Sequence, residues 1–147
     1  MSKSVITNDG ELILDSHKLP YHIDRINAWE SGERIAPVTV DMALTRACGS
    51  MCKFCYAMMQ EPQKRHGIKV HHALNLLDDF AEIGVRGVSL VSDGESTLSK
   101  AYVPFIQHAS ELGINTGNAT NAWAWGPEKS EQVLPHMSWI RFTVAAG

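Results

Sequence analysis

The sequence predicts an α/β fold, an open parallel sheet or part of a barrel, from two observations. From residue 38 onward, β-prone runs alternate with amphipathic stretches of helical spacing, and the intervals between runs are too long for hairpins. Such spacing calls for parallel pairing with crossovers. The composition agrees, because 147 residues with 44% hydrophobic and 20% charged content suffice to bury a core.

The first element is a small hairpin, Ser4–Thr7 and Glu11–Leu14 around an Asp9-Gly10 turn. A short helix follows from Pro20 to Trp29, where Ile23, Ile26 and Trp29 share a side, and Ser31-Gly32 stops it. These form an N-terminal extension, residues 1–35, ahead of a domain at 36–147. The first strand of that domain is Val38–Thr45. Val70, Ala73, Leu74, Leu77, Phe80 and Ala81 recur at helical spacing up to Gly84. Gly87–Ser92 reads as a buried strand, and Tyr102, Phe105, Ile106, Ala109 and Leu112 as a second helix in which Pro104 is tolerated only near the first turn. A third strand at Ile114–Thr120, a short helix from Pro127 towards His136 and a fourth strand at Trp139–Val144 complete a β-α-β-α-β-α-β order. Ala145-Ala146-Gly147 leaves no helix to cover the last strand, although buried parallel strands need cover on both faces, so a longer protein is expected.

Charge and hydropathy exclude some classes. Thirteen Lys and Arg against 16 Asp and Glu give a net charge of −3, so there is no basic field for nucleic acid. No stretch approaches the roughly 18 to 20 apolar residues of a membrane span, and the start lacks the apolar core of a signal peptide. A cytoplasmic protein is expected.

The three cysteines all fall in Cys48-Gly49-Ser50-Met51-Cys52-Lys53-Phe54-Cys55, a C-x-x-x-C-x-x-C pattern just after the first strand. An odd count so tightly clustered is not a disulfide framework. The position matters, because loops at the carboxyl ends of parallel strands are where α/β folds hold their ligands. Three thiolates suit a soft metal, as zinc or as iron-sulfur, yet closed zinc sites and iron-sulfur electron carriers usually take four protein ligands. A cluster of four irons held by three cysteines leaves one iron open to a small chelating molecule.

With Phe54 immediately before the last cysteine, the loop resembles that of the radical S-adenosylmethionine (radical SAM) superfamily. The resemblance covers about residues 36–147 and implies a partial TIM-like (β/α) barrel, ending here after about the fourth strand. It implies a 4Fe-4S cluster on Cys48, Cys52 and Cys55, with the open iron chelated by the methionine moiety of S-adenosylmethionine. An electron, from a donor such as flavodoxin or ferredoxin, then yields a 5′-deoxyadenosyl radical that abstracts hydrogen from a substrate. Phe54 would lie along the adenine and the Tyr56 backbone would contact its edge. Ser92-Asp93-Gly94-Glu95 is similar to the family's Gly-Gly-Glu segment, whose backbone receives the methionine ammonium; Asp93 replaces the first glycine. Ala119-Thr120-Asn121-Ala122 is similar to a Thr-Asn-Gly turn of relatives, which makes Asn121 a ribose or active-site contact, with Thr143 a candidate of the same kind.

Other readings stay open. The alternatives are a zinc-stabilised, non-catalytic binding module with the metal held by the three cysteines and His66, although zinc sites usually pair C-x-x-C with a second pair elsewhere, and a 147-residue piece that is an inactive part of the enzyme. His71 and His72, about 100° apart on a helix, are expected as solvated surface. Trp123 and Trp125 line a pocket or cover the core, and Met58-Met59 are expected to pack under the cysteine loop.

Overall fold

The computed structural model describes residues 19–50, 52–56, 66–91 and 93–144. The chain divides into two compact units, Met1–Ile35 and Ala36–Gly147. In the first, a 3-10 turn at Leu19–His22 leads into helix α1, Ile23–Glu30, none of whose residues is buried. The helix ends where Ser31 Oγ donates to the Ala28 carbonyl at 2.8 Å. The hairpin expected at residues 4–14, like Met58-Met59, lies outside the described residues.

The second unit runs β1 (Thr39–Asp41), α2 (Val70–Glu82), β2 (Gly87–Leu90), α3 (Tyr102–Glu111), β3 (Asn115–Thr120), α4 (Pro127–Val133) and β4 (Trp139–Phe142). All four strands pair in parallel in the order β1-β2-β3-β4. The alternation read from the sequence is therefore the alternation in the fold. Side chains alternate across a strand, so Val88 and Leu90 share one face of β2, and they pack with Ala73 and Leu77 of α2 and Phe105, Ile106 and Ala109 of α3. Val133 of α4 and Leu44 belong to the same core, each 0% exposed. The opposite face carries small and polar residues, among them Thr39, Ser89, Gly117 and Arg141, with the Trp139 indole lying over Gly117. No helix among the described residues is long and apolar enough to cross a membrane.

The strands are shorter than the β-prone runs. β1 stops at Asp41 rather than Thr45, because the chain changes partner there. Met42 N–H still donates to the Ser89 carbonyl at 3.0 Å, but Ile68 N–H donates to the Leu44 carbonyl and Arg46 N–H to the His66 carbonyl, each at 2.9 Å. Thr45 thus bridges Gly67 antiparallel. Leu44 and Thr45, the end of the β-prone run, are used with Arg46 to close the base of the cysteine loop. β4 ends at Phe142, after which Thr143 N–H donates to the Thr120 carbonyl at 2.8 Å. His71 and His72 are exposed, as expected, with ring centroids 4.0 Å apart.

Candidate functional site

The loops after β1, β2 and β3 meet at the carboxyl end of the sheet. Gly94, in the loop after β2, has φ +73°, and a Cβ there would overlap the Thr45 carbonyl oxygen and sit 2.8 Å from the Arg46 backbone. Only glycine permits so close an approach. The next residue continues the contact, since Glu95 N–H donates to the Ala47 carbonyl at 2.8 Å. Arg46 Nε stands 3.6 Å from Asp93 Oδ2.

Glu95 is 3% exposed, and a buried carboxylate is tolerated only when its oxygens are satisfied. Here Oε1 accepts from Thr97 N (3.2 Å), Thr97 Oγ1 (2.7 Å) and Thr120 Oγ1 (2.8 Å), and Oε2 accepts from Asn121 N (2.8 Å). Glu95 therefore knots the loop after β2 to the turn after β3, while its own N–H holds the cysteine loop. Nearby, burial pushes the Tyr102 phenol up to about 12; a hydrogen bond from Asn118 lowers it and the Glu95 charge raises it. The phenol stays neutral, accepting from Asn118 Nδ2 at 3.0 Å.

Asn121 reaches back from β3 to the cysteines. Its Nδ2 donates to Ser50 Oγ at 2.9 Å and to Cys48 Sγ at 3.6 Å, and its Oδ1 accepts from Trp123 N at 3.0 Å. The Trp123 ring lies against Gly49, 3.3 Å from where a Cβ would sit. Cys48, Cys52 and Cys55 are half-buried free thiols, and Cys55 N–H donates to the Cys52 carbonyl at 3.0 Å to form a turn. Among the described residues, no three His, Cys, Asp or Glu side chains are drawn together as a metal-binding group. The donor chemistry nonetheless fits a soft cluster: three free thiols on one loop, the ligand type that iron-sulfur and zinc take.

No family model matches the chain. It is 29% identical over 124 residues to an S-adenosylmethionine-dependent nucleotide dehydratase of Flammeovirga pacifica, covering 81% of this chain and 42% of that protein. It is also 29% identical over 101 residues to the sporulation killing factor maturation protein SkfB of Bacillus subtilis, covering 69% and 24%. Its fold matches BtrN in complex with AdoMet and 2-DOIA (TM-score 0.68, 13% identity, 78% of this chain and 48% of that one). It likewise matches Streptococcus suis SuiB bound to S-adenosylmethionine (TM-score 0.64, 18% identity, 86% and 30%). These relatives and fold neighbours are radical SAM enzymes, the superfamily that the cysteine loop resembles. The chain spans less than half the length of each of these proteins.

In this chain, Cys48, Asp93, Gly94, Glu95 and Asn121 are brought to one sheet end by the contacts above. Phe54 and Tyr56 lie on the same loop and are 68% and 59% exposed. Thr143 is tied to β3 through its backbone, and nothing described joins its side chain to the cysteines. His66 is exposed and offers its carbonyl to Arg46. Trp123 is 70% exposed, whereas Trp125 packs edge-on to Tyr102 and Phe142 and donates to Ser130 Oγ at 2.7 Å. Sequence reasoning did not single out Ser50, Thr97 or Lys129. Lys129 Nζ donates to the carbonyls of Thr97 (2.8 Å) and Ala124 (2.6 Å), bracing both loops from α4, and nothing in the local pattern announces it.

Proposed function

We propose that this chain is the cluster-binding and cofactor-binding part of a radical SAM enzyme, with residues 36–147 as the N-terminal part of its core domain. The observation that carries the reading is the convergence of the Glu95 loop and the Asn121 turn on a loop of three free thiols. Cys48, Cys52 and Cys55 are the residues to hold a 4Fe-4S cluster. When bound, it would chelate S-adenosylmethionine through its open iron and supply the electron that breaks the sulfur–carbon bond, releasing a 5′-deoxyadenosyl radical for hydrogen abstraction.

The chain's own residues position these partners. The Gly94-Glu95 backbone, fixed against Thr45 and Ala47, sets the place at which the methionine ammonium is received. Asp93, beside Arg46, adds a carboxylate at that edge. Phe54 offers an exposed ring face to the adenine, and Tyr56 its backbone. A flavodoxin or ferredoxin of the cytoplasm would donate the electron.

Anaerobic reconstitution with iron and sulfide tests the reading. A brown protein with about four irons per chain is expected, its electron paramagnetic resonance signal altered by S-adenosylmethionine. Alanine at Cys48, Cys52 or Cys55 should abolish that signal. Uptake of zinc alone under the same conditions would favour a zinc-stabilised module instead.

A further inference from the structure

The side-chain orientation of Asn121 is settled by its neighbours. A backbone N–H can only donate, so the atom facing Trp123 N at 3.0 Å is Oδ1, and the amide nitrogen with its two hydrogens faces the cysteine loop. Two acceptors meet those two hydrogens, Ser50 Oγ at 2.9 Å and Cys48 Sγ at 3.6 Å. From behind, the Asn121 N–H is held by Glu95 Oε2 at 2.8 Å, and Glu95 is held in turn by Thr97 and Thr120. Ser50 is 9% exposed, so its bond to the amide is sheltered from competing water.

We propose that Asn121 is a positioning residue for Cys48, with two separable effects. Through Ser50 it pins the loop that carries the first cysteine. Through the N–H···S bond it disperses negative charge on the Cys48 sulfur, which favours the more negative, reduced state of a cluster held there and makes that cluster easier to reduce. The second effect rests on the radical SAM reading; the first does not.

Two substitutions separate the effects. In Asn121→Asp one carboxylate oxygen still accepts from Trp123 N and the other accepts from the Ser50 hydroxyl, which rotates to donate, but the donor to sulfur is gone. Asn121→Ala removes both. In the metal-free protein, amide hydrogen exchange over residues 44–50 should run roughly fivefold faster in Asn121→Ala and stay near wild type in Asn121→Asp. In the reconstituted protein, the cluster's midpoint potential should be more negative in both variants. Unchanged exchange in Asn121→Ala would overturn the pin, and an unchanged potential in the same variant, which removes the donor without adding charge, would overturn the sulfur bond. A wild-type chain that takes up no iron would sink the proposed function and the redox effect together, while the exchange data still decide the pin.

Discussion

Gly94 and Gly113 share a left-handed backbone, φ +73° in each, but only Gly94 is crowded. Around Gly113 a Cβ would meet nothing within 4 Å, whereas at Gly94 it would strike the backbone of Thr45 and Arg46. Gly113→Ala should therefore cost only the conformational penalty, about 1 kcal/mol. Gly94→Ala must also push the cysteine loop away and should cost about 2–4 kcal/mol in chemical denaturation. Equal costs would show that the close approach is not maintained in solution. Ala122 is the reverse case, a residue with a side chain at φ +63° where the related turn carries glycine. Ala122→Gly should stabilise by about 0.5 kcal/mol, the relief of strain exceeding the added chain entropy. A loss of more than about 1 kcal/mol would mean that the Ala122 methyl contributes packing.

At the scale of elements, α2 and α3 were legible because their apolar residues recur on one face and that face is the one the sheet covers. The end of β1 was not legible, since Leu44 and Thr45 read as strand whether they pair with β2 or, as they do, with residues 66–68. Glu95 was legible as part of a motif, but its carboxylate's role was not, because Thr120 and Asn121 lie 25 and 26 residues away. The link between α2 and α3 was equally hidden: His108 Nε2 lies 2.7 Å from Asp78 Oδ1, and Nδ1 lies 3.4 Å from Glu111 Oε2. The Asp78 hydrogen bond is the largest influence on the imidazole and raises its pKa above 6.5; partial burial opposes it and Glu111 reinforces it. A raised folded-state pKa gives stability that is full below the unfolded value and is lost as pH rises through the folded value. Wild type should thus lose stability relative to His108→Gln as pH rises above about 6.5 through the raised folded-state pKa, as thermal unfolding would read. Parallel pH profiles for the two proteins would dissociate the contact from stability.

At the scale of the whole molecule, the cysteine loop has one half tied to the sheet end and one half described with a local turn. Residues 44–50 are held by the Glu95 N–H, the Asn121 amide and the pairing with residues 66–68. Of the residues from Cys52 to Tyr56, Lys53, Phe54 and Tyr56 are exposed, and the bond described within the segment is the local Cys52–Cys55 turn. The first cysteine is therefore tied to the sheet end by the fold, and on the proposed reading ligation would fix the other two. Reconstitution with iron and sulfide should accordingly protect amides 52–56 from exchange far more than amides 44–50, and chelation of the metal should reverse the gain. The midpoint of thermal unfolding should rise on loading by mass action, because the unfolded chain does not offer three thiols in one geometry. If residues 52–56 are as protected before loading as after, the loop is preformed and the division fails. Serine at Cys55 alone should leave residues 44–50 as protected as in wild type, because their restraints come from the loops after β2 and β3 and from the returning chain.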